Sequence, residues 1–170
     1  VFLYHGMLKG GSIKMTEEAL IKNWRGMIVV GHDFFHCWRQ VLLEEVGGGK
    51  TEELVLKFWQ KVANVTVQAY MHAGMVEKRD LESLVRVMAR SSEIMGEKVH
   101  VERDGEDFLL VHEACPWTDS YRKYGGGNCQ PGCDCWFREV AKAVIPGCSV
   151  LTEASIPGGD RQCVRRFSLN

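Results

Sequence analysis

KVHVERDGEDFLLVHEACP, residues 98–116, is where the chain stops reading as helix and starts reading as sheet. Val99 and Val101 alternate with polar residues, Asp104-Gly105 supplies a turn, and Phe108-Leu109-Leu110-Val111 follows as a second apolar run. Two strand-like runs about an Asp-Gly turn make a β-hairpin. Pro116 then suits the first position of a short helix.

Upstream of this stretch the apolar residues recur at helical spacing. Thr16 followed by Glu17 and Glu18 is a cap with acids in the first turn. Leu20, Trp24, Met27, Ile28, Phe34, Phe35, Trp38, Val41 and Leu42 then mark one helical run, which Gly31 is expected to divide in two and Gly47-Gly48-Gly49 to end. Thr51 is expected to open the next helix, with Leu54, Val55, Phe58, Trp59, Val62, Val65 and Ala69 on its apolar face and Gly74 as its C-terminal cap. A third helix starts near Asp80, carries Leu81, Leu84, Val85, Met88 and Ile94, and stops at Gly96. Gly47-Gly48-Gly49-Lys50-Thr51 has the ending of a phosphate-binding loop. It lacks the motif's first glycine, replaced by Glu44, and follows a helix rather than a strand, so it reads as a helix–helix turn.

Downstream, a glycine-rich loop at Gly125–Gly127 leads to a helical stretch from Asp134 to Val144. Val150–Ala154 and Cys163–Phe167 form a second strand pair joined by Pro157-Gly158-Gly159-Asp160. Helices segregated from antiparallel hairpins predict an α+β fold: a helical N-terminal half packed on a four-stranded antiparallel sheet made of two hairpins. At 170 residues the chain is expected to be a single domain, 1–170, with a helical half (1–96) and a strand-rich, cysteine-rich half (97–170).

Composition narrows the partners. The net charge is −1, so there is no electrostatic footprint for nucleic acid, and no apolar run approaches the roughly 18–20 residues needed to span a bilayer. The chain begins at Val1 with no visible signal peptide, and its seven cysteines are an odd number. A cytoplasmic protein with reduced thiols is therefore expected, its partner a small-molecule ligand or substrate rather than nucleic acid or membrane, with a homodimer as an open oligomeric state.

Six of the seven cysteines fall in the last third: Cys115, Cys129, Cys133, Cys135, Cys148 and Cys163. Cys115, just before Pro116, is the candidate nucleophile, because a helix N-cap stabilises a thiolate. His112 is its candidate acid/base partner, although the two point to opposite faces unless the backbone turns between them. The plainer alternative is a buried cysteine closing a strand. Cys129, Cys133 and Cys135 are close enough to share a zinc or an iron–sulfur cluster, with Cys148 or Cys163 completing the set and Asp134 or Glu153 as acidic alternatives. Unliganded loop and core cysteines are the competing reading. His32 and His36, one helical turn apart beside Phe34, Phe35 and Trp38, could wall a ligand pocket or simply be satisfied histidines. The expected pocket lies between helices and sheet, lined by His36, Trp38 and the Cys115 region.

Val111-His112-Glu113-Ala114-Cys115-Pro116, then a glycine- and cysteine-containing region, a helix, Ile145-Pro146-Gly147, a strand and finally Gly159-Asp160-Arg161-Gln162-Cys163 follow one another in an order that resembles the L-2-amino-thiazoline-4-carboxylic acid hydrolase-like family. The same stretch is similar to the related 4-vinyl reductase domain, an α+β ligand-binding module. The first resemblance implies a hydrolase opening a C–N bond of a small cyclic substrate, with Cys115 or Cys133 taking part. The second implies a non-catalytic small-molecule pocket beside a structural zinc, held here by Glu153, Cys163 and one of Cys129 or Cys133. The cysteine expected shortly after that glutamate is Ile156 in this chain.

Overall fold

The computed structural model describes residues 16–76 and 78–169. Three helices come first: α1 (Glu17–Val46), α2 (Gly48–His72) and α3 (Leu81–Ile94). The hairpin β1 (Lys98–Asp104) and β2 (Asp107–Ala114) follows, then α4 (Pro116–Lys123) and α5 (Gln130–Val144). The hairpin β3 (Cys148–Ala154) and β4 (Cys163–Leu169), interrupted by a single 3-10 turn at Ile156–Gly158, closes the chain. The four strands form one antiparallel sheet in the order β1-β2-β4-β3, so the two hairpins join through β2 and β4. No helix among the described residues is long and apolar enough to cross a membrane.

The caps are local and act as the sequence predicts. The Thr16 side chain accepts from the Ala19 amide at 3.2 Å, and the Asp80 side chain accepts from the Ser83 amide at 2.7 Å. Three boundaries differ from expectation. Gly31 does not divide α1, which runs unbroken for 30 residues. A helical glycine costs only about 1 kcal/mol, less than the packing of His32, Phe35 and His36, the buried residues that follow it, can supply. The turn between α1 and α2 is tighter than expected. Gly47, at φ +75°, caps both helices, and Thr51 sits inside α2, its hydroxyl donating to the Gly47 carbonyl at 2.8 Å. Finally, α5 starts at Gln130 rather than Asp134, because Pro131 is at home in a first helical turn.

One face of the sheet meets the helices. Val99, Val101, Phe108, Leu110 and His112 share that face with Cys163, Arg165 and Phe167 of the neighbouring strand, since residues two apart point the same way. The β2–β4 register sets Phe108 opposite Phe167 and His112 opposite Cys163. The face is therefore apolar at one end, where Leu84, Met88, Val140 and Val144 cover it, and polar at the other. The polar end positions the site. On the opposite face, Arg166 gathers Glu153, Asp104 and Asp107.

Candidate functional site

All five helices line a cavity of about 380 Å³ that carries six aromatic side chains: Phe35, Phe58, Trp59, Trp117, Trp136 and Phe137. Their rings hold one another edge-on. Phe35 meets Trp117 at 5.4 Å and 89°, and Trp59 meets Trp117 at 5.2 Å and 76°. Trp136 is fixed by donating from Nε1 to the Thr66 hydroxyl at 3.2 Å. Gly132, in the first turn of α5, makes the enclosure fit, because a Cβ there would lie 2.4 Å from Trp59 Nε1 and 2.5 Å from its Cδ1. Gly132→Ala should therefore displace the Trp59 indole, destabilise the fold by about 1–3 kcal/mol and shift the tryptophan emission. Gly49→Ala, with nothing within 4 Å, should do neither. Urea denaturation followed by fluorescence compares the two.

A second, smaller cavity of about 20 Å³ adjoins the first, sharing Glu97, Cys133 and Phe137. His112, Cys115, Cys129, Cys163 and Arg165 also line it. His112 is 2% exposed, and its Nε2 lies 3.0 Å from the Glu97 carboxylate and 3.2 Å from the Ser92 hydroxyl. A carboxylate can only accept, so Nε2 carries the proton in the neutral ring. Nδ1 then holds the lone pair, and it has no hydrogen-bond partner among the described residues. A histidine ring oriented by a carboxylate is the arrangement that acid–base catalysis uses.

The four thiols of this cavity differ in state. Burial, and then Glu97, push Cys115 up to about 12; the amides of Thr118 and Trp117 oppose them but are outweighed. The expected thiolate at Cys115 is thus corrected: the helix end does favour it, but desolvation beside a carboxylate wins. Cys163 is also raised by burial, its sulfur accepting from the Ile156 amide at 3.2 Å. Cys133 donates to Cys129. That bond, reinforced by burial, raises Cys133, whereas Cys129 is held low first by the same bond and further by the Thr118 hydroxyl and Arg165. The pair shares one proton more readily than it releases two.

The other predicted residues are placed as follows. Glu153 stands apart from the cysteines, bound to Arg166 at 2.5 Å on the far face of the sheet. Cys129, Cys133 and Cys163 do meet on the wall of the small cavity, but among the described residues no three His, Cys, Asp or Glu side chains are arranged to hold a metal ion. Trp38 packs on Phe35 and Phe58 outside the aromatic cavity and is 37% exposed. His32 and His36 face α4. His32 packs on Trp117 at 3.9 Å, and His36 stacks on Tyr124 at 4.7 Å. Ser120 already donates to the Trp117 carbonyl, so His36 Nε2 donates to Ser120 at 3.0 Å. His32 also meets Cys115 across an open groove.

Burial lowers both α1 histidines, His36 to about 4. The unfolded chain protonates its histidines near pH 6.5, so it binds more protons than the fold below that value. Stability should be full above about pH 6.5, fall as pH drops toward 4, and fall less steeply in His36→Gln. Urea midpoints between pH 7.5 and about 4 would show it, and equal slopes in the two proteins would rule it out.

Glu97, Ser92, Arg165 and, apart from Phe35, the aromatic lining were not singled out as site residues in the sequence. Arg165 carried a signal, since Cys163, Arg165 and Phe167 alternate along one strand face. Glu97 carried none, because it lies at the junction of α3 and β1.

The profile of the L-2-amino-thiazoline-4-carboxylic acid hydrolase family matches residues 27–167. No curated protein matches the chain. Among solved structures it is similar to the phenol-responsive sensory domain of the transcription activator PoxR with phenol, at 12% identity and a TM-score of 0.58, covering 81% of this chain and 74% of that one. It is also similar to trafficking protein particle complex subunit 3 from Naegleria fowleri, covalently bound to palmitic acid, at 13% identity and a TM-score of 0.56, covering 88% of this chain and 96% of the other. At such identities the two likenesses show a shared fold.

Proposed function

Because the chain belongs to the L-2-amino-thiazoline-4-carboxylic acid hydrolase family, we propose that it hydrolyses a C–N bond of a small cyclic substrate held in the aromatic cavity. The observation that supports this reading is the junction of the two cavities at Glu97, Cys133 and Phe137, where an aromatic-lined space adjoins the wall carrying His112 and four thiols. In the proposed reaction the Cys115 sulfur attacks the ring carbon, and its proton passes to His112 Nδ1. The C–N bond then opens, and the nitrogen takes that proton. Water cleaves the S–C bond, restoring the thiol and releasing the product. A thiol pushed up to about 12 does not ionise by itself near neutrality, so Cys115 depends on the histidine throughout. Seven free cysteines fit a reducing compartment such as the cytoplasm.

The test incubates the protein with 2-amino-thiazoline-4-carboxylate and a panel of small cyclic amidines and lactams, reading ring opening as the gain of one water by mass. Cys115→Ser is expected to lose at least about tenfold in turnover; unchanged turnover would remove Cys115 from the mechanism. A binding-only module is the second reading. It is favoured by the protonated state of Cys115 and Cys163 and by the apolar lining of a fold that, in the PoxR sensory domain, holds phenol. Tryptophan quenching by panel members without turnover would select it.

A further inference from the structure

Arg165 is 3% exposed, yet its guanidinium is loosely held. Its contacts with Asp134 Oδ1, from Nε and from one terminal nitrogen, are both 3.5 Å, well beyond the roughly 2.7–2.9 Å of a paired guanidinium and carboxylate. Asp134 is engaged elsewhere. Its Oδ1 accepts from the Thr152 hydroxyl at 2.7 Å, and its Oδ2 accepts from the Gln130 amide group at 3.3 Å. Arg165 Nε has no hydrogen-bond partner among the described residues. The guanidinium lies over the Phe137 ring at 4.5 Å, which fixes its position, and it also bonds the Cys163 sulfur, so Nε is the donor left over. A buried cation with an unspent donor is costly unless an acceptor completes it, and an anion does so best.

The small cavity that Arg165 lines suits such an anion. Its volume, about 20 Å³, admits about one oxygen atom, such as the leading oxygen of a carboxylate, and not a second ring. The starts of α4 and α5 border it through Cys115 and Gln130, and both helices present their positive ends there. Glu97, the carboxylate on its wall, is occupied by His112. Beyond the shared residues Cys133 and Phe137 lies the aromatic cavity.

We propose that Arg165 is the specificity-determining residue of this site, taking the carboxylate of a small ring compound whose ring fills the aromatic cavity. This inference rests on reading that cavity as the ligand site, and it holds whether or not the ligand is turned over.

Thiophene-2-carboxylate and thiophene-2-carboxamide, nearly equal in shape, test it by quenching of the cavity tryptophans and by titration calorimetry. The wild-type protein should bind the carboxylate about tenfold or more tighter than the amide. Arg165→Met should erase that preference while amide affinity stays within about twofold. Arg165→Lys, which keeps the charge and loses the fork, should retain part of it and decides the matter if the methionine variant does not fold. Arg166→Met, a neighbour on the opposite sheet face, should leave the preference intact and so controls for overall charge. A purely structural role for Arg165 would lower stability without moving the carboxylate-to-amide ratio. A preference that survives in folded Arg165 variants, or equal binding of both probes by the wild-type protein, overturns the inference and leaves the cavity reading standing. Binding of neither probe overturns both.

Discussion

Replacing His112 by glutamine lowers turnover of the cyclic substrate about 10²–10⁴-fold, the range over which a positioned acid–base group acts. Glutamine can still donate to Glu97, as His112 Nε2 does across 3.0 Å, so the buried carboxylate keeps a partner and the fold survives. What disappears is the Nδ1 lone pair, the one acceptor on this wall that Glu97 already orients. Binding of a neutral ring should change by no more than a few fold, because the aromatic walls are untouched. The loss therefore belongs in kcat rather than KM. A second variant, Glu97→Gln, should fall by less, since it misdirects the base without deleting it. If His112→Gln retains more than about a tenth of the activity, His112 is not the base and the proton route given above is wrong.

Phe167→Ala should destabilise the protein by about 3–5 kcal/mol, a large part of the 5–15 kcal/mol that holds a domain of this size together. Phe167 is fully buried on β4, opposite Phe108 across the sheet and 6.3 Å from the Phe137 ring at a near-perpendicular angle. Leu84, Leu110, Val140 and Val144 belong to the same core and are themselves fully buried, so the surroundings have little slack with which to fill the space. Leu169, two residues along the same strand and 59% exposed, provides the contrast: Leu169→Ala should stay within about 0.5 kcal/mol. Urea denaturation with an unchanged m-value distinguishes a cavity from a change of fold. A cost at Phe167 close to that at Leu169 would mean that the helices do not close over this end of the sheet.

Phe137 connects the two experiments. It packs on Phe167 in the core, on His112 at 5.7 Å and beneath Arg165, and it belongs to the wall shared by both cavities. A variant that loosens the core at Phe167 should therefore also loosen the site, whereas one that empties the site should leave the core intact.

The order of helices and strands was legible in the sequence wherever a short-range signal specified it. Thr16 and Asp80 cap their helices through atoms three residues away. The Asp104-Gly105 turn closes a hairpin with its own flanks, and Pro116 starts a helix by its own fixed φ. These interactions need nothing from the rest of the chain. Gly31 misled for the same reason: its local cost is real, but it is smaller than the distant packing that overrides it.

Candidate chemistry was legible as residue types, and only the fold decided which of them meet. His112 and Cys115 were visible as neighbours, but Cys163 reaches them through the β2–β4 register, and Cys129 and Cys133 reach them because α5 begins earlier than its apolar pattern suggests. Glu153 was excluded by facing the other way across the same sheet. The state of the Cys115 thiol was decided last of all. A helix end is written in the sequence, whereas desolvation and the approach of Glu97 are properties of the packed interior, and in that interior burial outweighs the cap.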